Sequence, residues 1–264
     1  MIPTPYREFR PSPRLARYVE CYWSRGGEGL GHSILPDGCA DILFTTEPVR
    51  LALVGLMTRP LPVESVMGQC YFGVRFRPGM AAAFVPEAAT LSDRIEPLES
   101  MWGAVANQLR ARLTDAQGPL QMIDIMERSL RPLEPADPAR RVLWHMPDIS
   151  SPLKQLIRDA GLSERHFRRS CTERTGVSPI YLRRILRFRG AVDRIRASAA
   201  NGAQPSWAHL AAACHYYDQA HLIHDFEEFA GCTPGRFLQS LRTPEGVKSK
   251  NHEPAETRKS NRLY

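Results

Sequence analysis

One pattern occurs twice in the C-terminal hundred residues. Residues 160–179, AGLSERHFRRSCTERTGVSP, and residues 214–234, CHYYDQAHLIHDFEEFAGCTP, align so that Ser163 and Asp218, His166 and His221, Phe167 and Leu222, Gly176 and Gly231, Ser178 and Thr233, and Pro179 and Pro234 all match at an offset of 55. Each pair has a local physical role. Ser163 and Asp218 are N-cap residues whose side-chain oxygens can accept from the unpaired N–H groups of a first helical turn. Phe167 and Leu222 fall on an inward stripe that Cys171 and Phe226 continue one turn on. Gly176 and Gly231 suit a left-handed helix end, after which Ser-Pro and Thr-Pro supply a cap and a first-turn proline for the next helix. The unit is a helix, a tight turn, a second helix, and a third that closes it.

The helix before each turn is legible in PLKQLIRDA (152–160) and SWAHLAAA (206–213). Between the units, Pro179 to Ser198 reads as one continuous helix with Leu182, Ile185, Leu186, Val192 and Ile195 inward and Arg183, Arg184, Arg187, Arg194 and Arg196 largely outward. At 1.5 Å per residue it spans about 30 Å, close to the roughly 34 Å between successive major-groove faces of B-DNA. A helical domain with a duplicated hairpin and no nucleic acid is the plainer alternative.

Charge separates the two. The net +7 of the 264-residue chain is unevenly placed: residues 1–149 hold 16 Lys and Arg against 17 Asp and Glu, whereas residues 150–199 hold 12 against 4. Basic charge concentrated on the repeat is the electrostatic footprint expected for a polyanion partner. The second unit departs from this, since residues 200–242 hold 2 basic and 4 acidic side chains. Asp225, Glu227 and Glu228 on its second helix are expected to repel a phosphate backbone, and His215 stands where the turn favours glycine.

The length accommodates two domains. Prolines 132, 135 and 138 mark a linker at 132–138, separating a β-rich effector-binding or dimerisation domain at 1–131 from an all-α domain at 139–241, with a polar, disordered tail at 242–264. RYVECYW (17–23), ADILFTT (40–46), VRLALVGL (49–56) and CYFGVRFR (70–77) read as antiparallel strands of a cupin-like or similar barrel or sandwich; Pro78–Phe84, Leu98–Leu113 and Leu120–Leu130 have helical spacing. The fold class is α+β. No stretch has the apolar length of a membrane span, and MIPTPYREFR lacks a secretory h-region, so a cytoplasmic protein with no membrane association is expected.

Candidate chemistry in the N-terminal part is sparse. Cys21, Cys39, Cys70 and His32 can form a metal or thiol-sensing cluster or be buried small residues; their spacing favours the second, and no metal or cofactor is expected. Asp37, Asp41, Arg75 and Arg77 can line an effector pocket, the two arginines projecting from one face while Val74 and Phe76 take the other, or form a solvated strand face. No hydrolase elbow, zinc-binding HExxH or phosphate-cradling glycine loop is present, so no catalytic residue is assigned; an enzyme would require an unrecognised constellation in residues 1–130.

Over residues 139–240 the paired units resemble the AraC-type family of bacterial transcription factors, most clearly in HYYDQAHLIHDFEEFAGCTPGRFL (215–238). YVECYW (18–23), ILPDGCADILF (34–44) and GVRFRPGMAAAF (73–84) are similar to the sensor domains of some members. The resemblance implies an effector-responsive regulator that reads successive major grooves, here mainly through the first unit. Its base-reading residues would be Arg165, His166, Arg168 and Arg169 in that unit and Gln219, Ala220, His221 and His224 in the second. Arg can bind guanine and Gln adenine bidentately, while phosphate contact or solvation remain open for each arginine. Implied partners are an operator in double-stranded DNA, RNA polymerase, a small-molecule effector and a second copy of the chain. The alternative is a ligand sensor whose second unit serves protein interaction, with weak nonspecific DNA binding.

Overall fold

The computed structural model describes residues 6–27, 31–64, 66–133 and 137–242. The expected tail beyond Arg242 and the centre of the expected linker, residues 134–136, lie outside them. The described residues form eight strands: β1 (Arg7–Phe9), β2 (Val19–Gly26), β3 (Gly31–Ile34), β4 (Ala40–Thr46), β5 (Val49–Val54), β6 (Leu61–Glu64), β7 (Cys70–Phe76) and β8 (Ile95–Pro97). The four strands expected from their β-branched and aromatic runs are β2, β4, β5 and β7. The other four have three or four residues each, too few to show such a run. Six strands build one antiparallel sheet in the order β1-β2-β7-β4-β5-β8, and β3 pairs with β6 as a separate ribbon. The β-rich domain is thus an open sheet with a ribbon: β1 and β8 end the ladder among the described residues.

Alternation along the central strands decides what each sheet face does. Ile42, Phe44, Leu51, Leu53, Phe72, Val74 and Phe76 enter the main core together with Leu109 and Leu113 of α2 (Ala104–Thr114) and Ile125 and Met126 of α3 (Pro119–Ser129). Leu43, Val54 and Tyr71 point to the opposite face. The helix expected over Leu98–Leu113 is broken at Gly103 into α1 (Glu99–Trp102) and α2. The apolar run Pro78–Phe84 yields only a 3-10 turn at Ala81–Ala83, with a second following at Pro86–Leu91. Pro138 begins a helix instead of interrupting one: it is the first residue of α4 (Pro138–His145), and Asp137 caps it by accepting from Ala139 N at 2.8 Å.

The helical part continues with α5 (Leu153–Asp159), α6 (Glu164–Thr175), α7 (Pro179–Ala200), α8 (Trp207–Ala213), α9 (Gln219–Ala230) and α10 (Pro234–Arg242). The expected caps are made: Ser163 accepts from His166 N, Ser178 from Tyr181 N, Asp218 from His221 N and Thr233 from Arg236 N. Both turns close identically. Gly161 and His215 occupy left-handed backbone, and the next residue in each, Leu162 or Tyr216, donates back to Ile157 O or Ala211 O.

A single buried cluster runs from the sheet through α4 and α6 to α9 and α10, so the β-rich and helical parts share one core. The 22-residue α7 is central to it, burying Leu182, Ile185, Leu186, Val192 and Ile195 as expected and Phe188 and Ala191 besides. The loop entering β4 approaches α7 so closely that a Cβ at Gly38 would stand 2.9 Å from Leu186 Cδ2.

The two turns make an internal control. Left-handed backbone costs a non-glycine residue about 1–2 kcal/mol, and glycine adds about 0.4–1 kcal/mol of unfolded-chain entropy. His215→Gly should therefore stabilise the protein, by at most about 1.5 kcal/mol, and Gly161→Ala should destabilise it, both read from urea denaturation midpoints.

Candidate functional site

Two surfaces carry the candidate residues. The first is the outer face of the paired helical units. Arg165, His166, Arg168 and Arg169 on α6 are all exposed, while Phe167 among them and Cys171 one turn on are buried, so the amphipathic period alone turns the basic residues outward. Arg169 lies 3.6 Å from Glu173 in an exposed pair, which water screens and a polyanion can displace. On α9, Gln219, Ala220 and His224 are exposed. His221 is not free on that face. It is half-buried edge-to-face against Tyr216, and its Nε2 accepts from the Arg187 guanidinium at 3.0 Å.

The acidic side chains of α9 are also placed differently from the sequence expectation. Asp225 is fully buried and bridges Arg184 at 2.7 Å and Arg187 at 3.0 Å; Glu228 accepts from Arg184 and from Tyr181 Oη. These carboxylates tie α9 to α7 instead of facing outward. Arg183 likewise turns inward, donating to Ile149 O and Ser151 O. Three of the arginines read as outward thus work as internal fasteners. Glu227 stays exposed, and α9 itself contains no Lys or Arg, so its outer face still lacks positive charge.

The second surface is a cavity of about 750 Å³ on the sheet face opposite the main core. Its floor is the alternate face of β2, β4 and β7, the β3–β6 ribbon forms one wall, and α7 forms another through Phe188, Arg189, Val192, Asp193 and Arg196. Asp37, Asp41 and Arg75 meet there: the Arg75 Nε lies 3.5 Å from each carboxylate. Arg77 does not join them. β7 ends at Phe76, and Arg77 sits with its guanidinium 4.1 Å from the centre of the Trp144 ring while its Nε donates to Ala16 O.

The residues completing this floor were not singled out from the sequence. Trp23 Nε1 donates to Asp41 at 2.7 Å, and Arg189 of α7 pairs with Glu20 of β2 and reaches Cys39 Sγ at 3.4 Å. Strand alternation alone would group Trp23 with Cys21 and Arg75, but the register shift between Val19 and Cys21 releases Glu20 from that rule. Burial pushes the Glu20 carboxyl up, yet the bonded Arg189 guanidinium takes it below its ordinary value. Burial raises the Asp41 carboxyl to about 6, with Arg75 opposing and Asp37 adding to the rise. Burial also holds the Cys39 thiol well above its usual range, and that of Cys21 at about 12, so neither is a thiolate. Cys70 is exposed, and the side chain of His32 lies outside what the structure describes. Among the described residues no group of three His, Cys, Asp or Glu could hold a metal ion, and no helix is long and apolar enough to cross a membrane.

Residues 156–240 match a family model described as a helix-turn-helix domain. This segment is an AraC-type helix-turn-helix domain. Residues 7–95 match a family described as a domain of unknown function, DUF6597. No curated protein matches the chain. Among solved structures the chain is similar to ToxT from Vibrio cholerae O395, at 9% identity and a TM-score of 0.42 over 84% of this chain and 98% of that one. It is similar also to unsaturated-fatty-acid-bound ToxT from Vibrio cholerae strain SCE256, at 6% identity and a TM-score of 0.40 over 82% and 93%. The helix-turn-helix segment makes the protein a DNA-binding transcription regulator.

A carboxyl raised by burial makes folding prefer its protonated form. The Asp41 contribution to stability is therefore complete below the ordinary value of 3.8 and is lost as pH rises through about 6. From about pH 4 to 7 the wild type should lose more stability than Asp41→Asn, measured by chemical denaturation at each pH. Parallel curves would mean that Arg75 keeps Asp41 ionised throughout.

Proposed function

We propose that this protein is an effector-responsive transcription regulator rather than an enzyme, and that it reads operator DNA mainly with α6. The observation that carries the proposal is the position of α7. This helix joins the two helix-turn-helix units and at the same time forms a wall of the cavity through Phe188 and Arg189. On its other side Phe188 packs 4.9 Å from Phe226 and 5.3 Å from Phe229 of α9, ring centre to ring centre. A molecule bound in the cavity thereby touches the element that sets the two reading heads relative to one another. Effector control would be a population shift between arrangements of α7 that differ in their affinity for that molecule.

The asymmetry between the units follows from their exposed charge. Arg165, Arg168 and Arg169 supply α6 with groups for guanine edges or phosphates, while α9 offers Gln219, Ala220, His224 and Glu227. His221, held by Arg187 and Tyr216, serves to position α9 and not to read bases. The outward face of α9, flanked by the 93% exposed Tyr217, is the more suitable of the two for a protein contact, and RNA polymerase is the partner we assign to it.

Selection from random-sequence duplexes, followed by footprinting with the full chain, tests the reading. A defined protected site should emerge, with affinity falling steeply as salt rises. Arg168→Ala or Arg169→Ala should cost about 1–3 kcal/mol at that site and relax one base position, whereas Gln219→Ala or His224→Ala should cost under about 1 kcal/mol. Equal losses from the two helices would refute the asymmetry, and weak uniform binding would refute sequence-specific regulation.

A further inference from the structure

The ligand class follows from the charge and shape of the cavity. This step rests on the effector reading above but concerns the cavity alone. Its lining contributes six carboxylates, Glu8, Glu20, Asp37, Asp41, Glu64 and Asp193, against four guanidinium groups, Arg25, Arg75, Arg189 and Arg196, leaving an excess of two negative charges. One of the two excess charges lies at the floor. Glu20 is matched one-to-one by Arg189, and Asp193 lies 4.0 Å from Arg196 at the exposed rim, but Asp37 and Asp41 share Arg75 between them. One guanidinium cannot neutralise two carboxylates. The Arg75 Nε makes no hydrogen bond, yet with a carboxylate 3.5 Å away on each side it is already over-compensated and offers an anion little attraction.

The walls complete the description. Tyr6 stacks on Trp23 at 6.1 Å between ring centres, and these rings line the same space as Tyr71, Leu43, Val54 and Val63. Aromatic faces beside unneutralised carboxylates are the surroundings in which a desolvated cation is bound best, because ring quadrupoles and full negative charges add. A cavity of this size, with aromatic and aliphatic walls beside its charged groups, suits a small organic molecule better than a hydrated metal ion.

We infer that the cavity binds an amphipathic organic cation, its charge set against Asp41 and Asp37 and its apolar body against Trp23 and Tyr71, beside the Glu20–Arg189 pair that fastens α7 to the sheet. A cation drawing on Glu20 would compete with Arg189 for it, which links occupancy to the hold on α7.

Three probes of nearly one shape and different charge test the inference on the full chain: tetraphenylphosphonium, triphenylphosphine oxide and tetraphenylborate. Calorimetric titration at about pH 8, where Asp41 is ionised, should show the phosphonium bound at least about tenfold more tightly than the neutral oxide, with the borate weakest. Asp41→Asn, which keeps an acceptor for Trp23 Nε1, and Asp37→Asn should each weaken the phosphonium by about tenfold and leave the oxide unchanged. Equal affinities for the three probes, preference for the borate, absence of any binding, or phosphonium affinity untouched in both variants would overturn the inference. The charge series on the wild type decides the matter even where a variant fails to fold. Phosphonium binding that leaves operator affinity unchanged would count against effector control and not against the cavity's ligand class.

Discussion

A single helix, α7, has to satisfy three neighbours at once, and the rest of the molecule depends on how it does so. Toward the first helix-turn-helix unit it is the closing helix, begun by Ser178 and Pro179. Toward the second unit it presents Phe188 to an aromatic cluster and Arg184 and Arg187 to the buried Asp225. Toward the sheet it presents Leu186 to the loop at Gly38 and Arg189 to Glu20. A helix has only about 3.6 residues per turn to divide among such faces, so little of its circumference remains for solvent. The apolar contacts supply most of the packing energy, and the arginines fix direction and register, because a buried carboxylate without its guanidinium is far costlier than a lost surface pair.

This division changes the meaning of the charge pattern. The surplus of arginine around residues 183–189 looks like part of a polyanion footprint, but Arg183, Arg184, Arg187 and Arg189 all have partners inside the protein. The positive surface available for nucleic acid is smaller; on α6 it consists of the exposed Arg165, Arg168 and Arg169, whereas Arg174 is paired with Asp137. The second unit is less repulsive than its composition suggests, since Asp225 and Glu228 are already paired. Both changes come from one set of contacts, and they leave the contrast between α6 and α9 standing on outward residues alone.

The helical part was largely legible beforehand because its signals are local. Caps, left-handed turn positions and the 3.6-residue stripe act over a few residues, and each appears where the repeat placed it, down to the backbone of His215. The β-rich part was legible only where strands are long enough to form a run of β-branched and aromatic residues. β1, β3, β6 and β8 are held by pairing with distant segments and carry no such run of their own. The cavity was half visible: Asp37, Asp41 and Arg75 belong to it, while Glu20 and Trp23 depend on a register shift and Arg189 on a partner far away in the chain. Arg77 escapes the alternation that would set it beside Arg75 because β7 ends at Phe76, one residue before it.

The amino-acid sequence by itself determined the two helix-turn-helix units, their order along the chain, the outward arginines of α6 and the division into a β-rich and a helical part, since short-range hydrogen bonding and amphipathic spacing suffice for each. Only the tertiary structure decided that the two parts share one core, that α7 walls the cavity, and which charges are spent within the protein. An ion pair such as Glu20–Arg189 has no signature along the chain; it exists because folding removes both groups from water at the same place, where each becomes the other's best replacement for solvent.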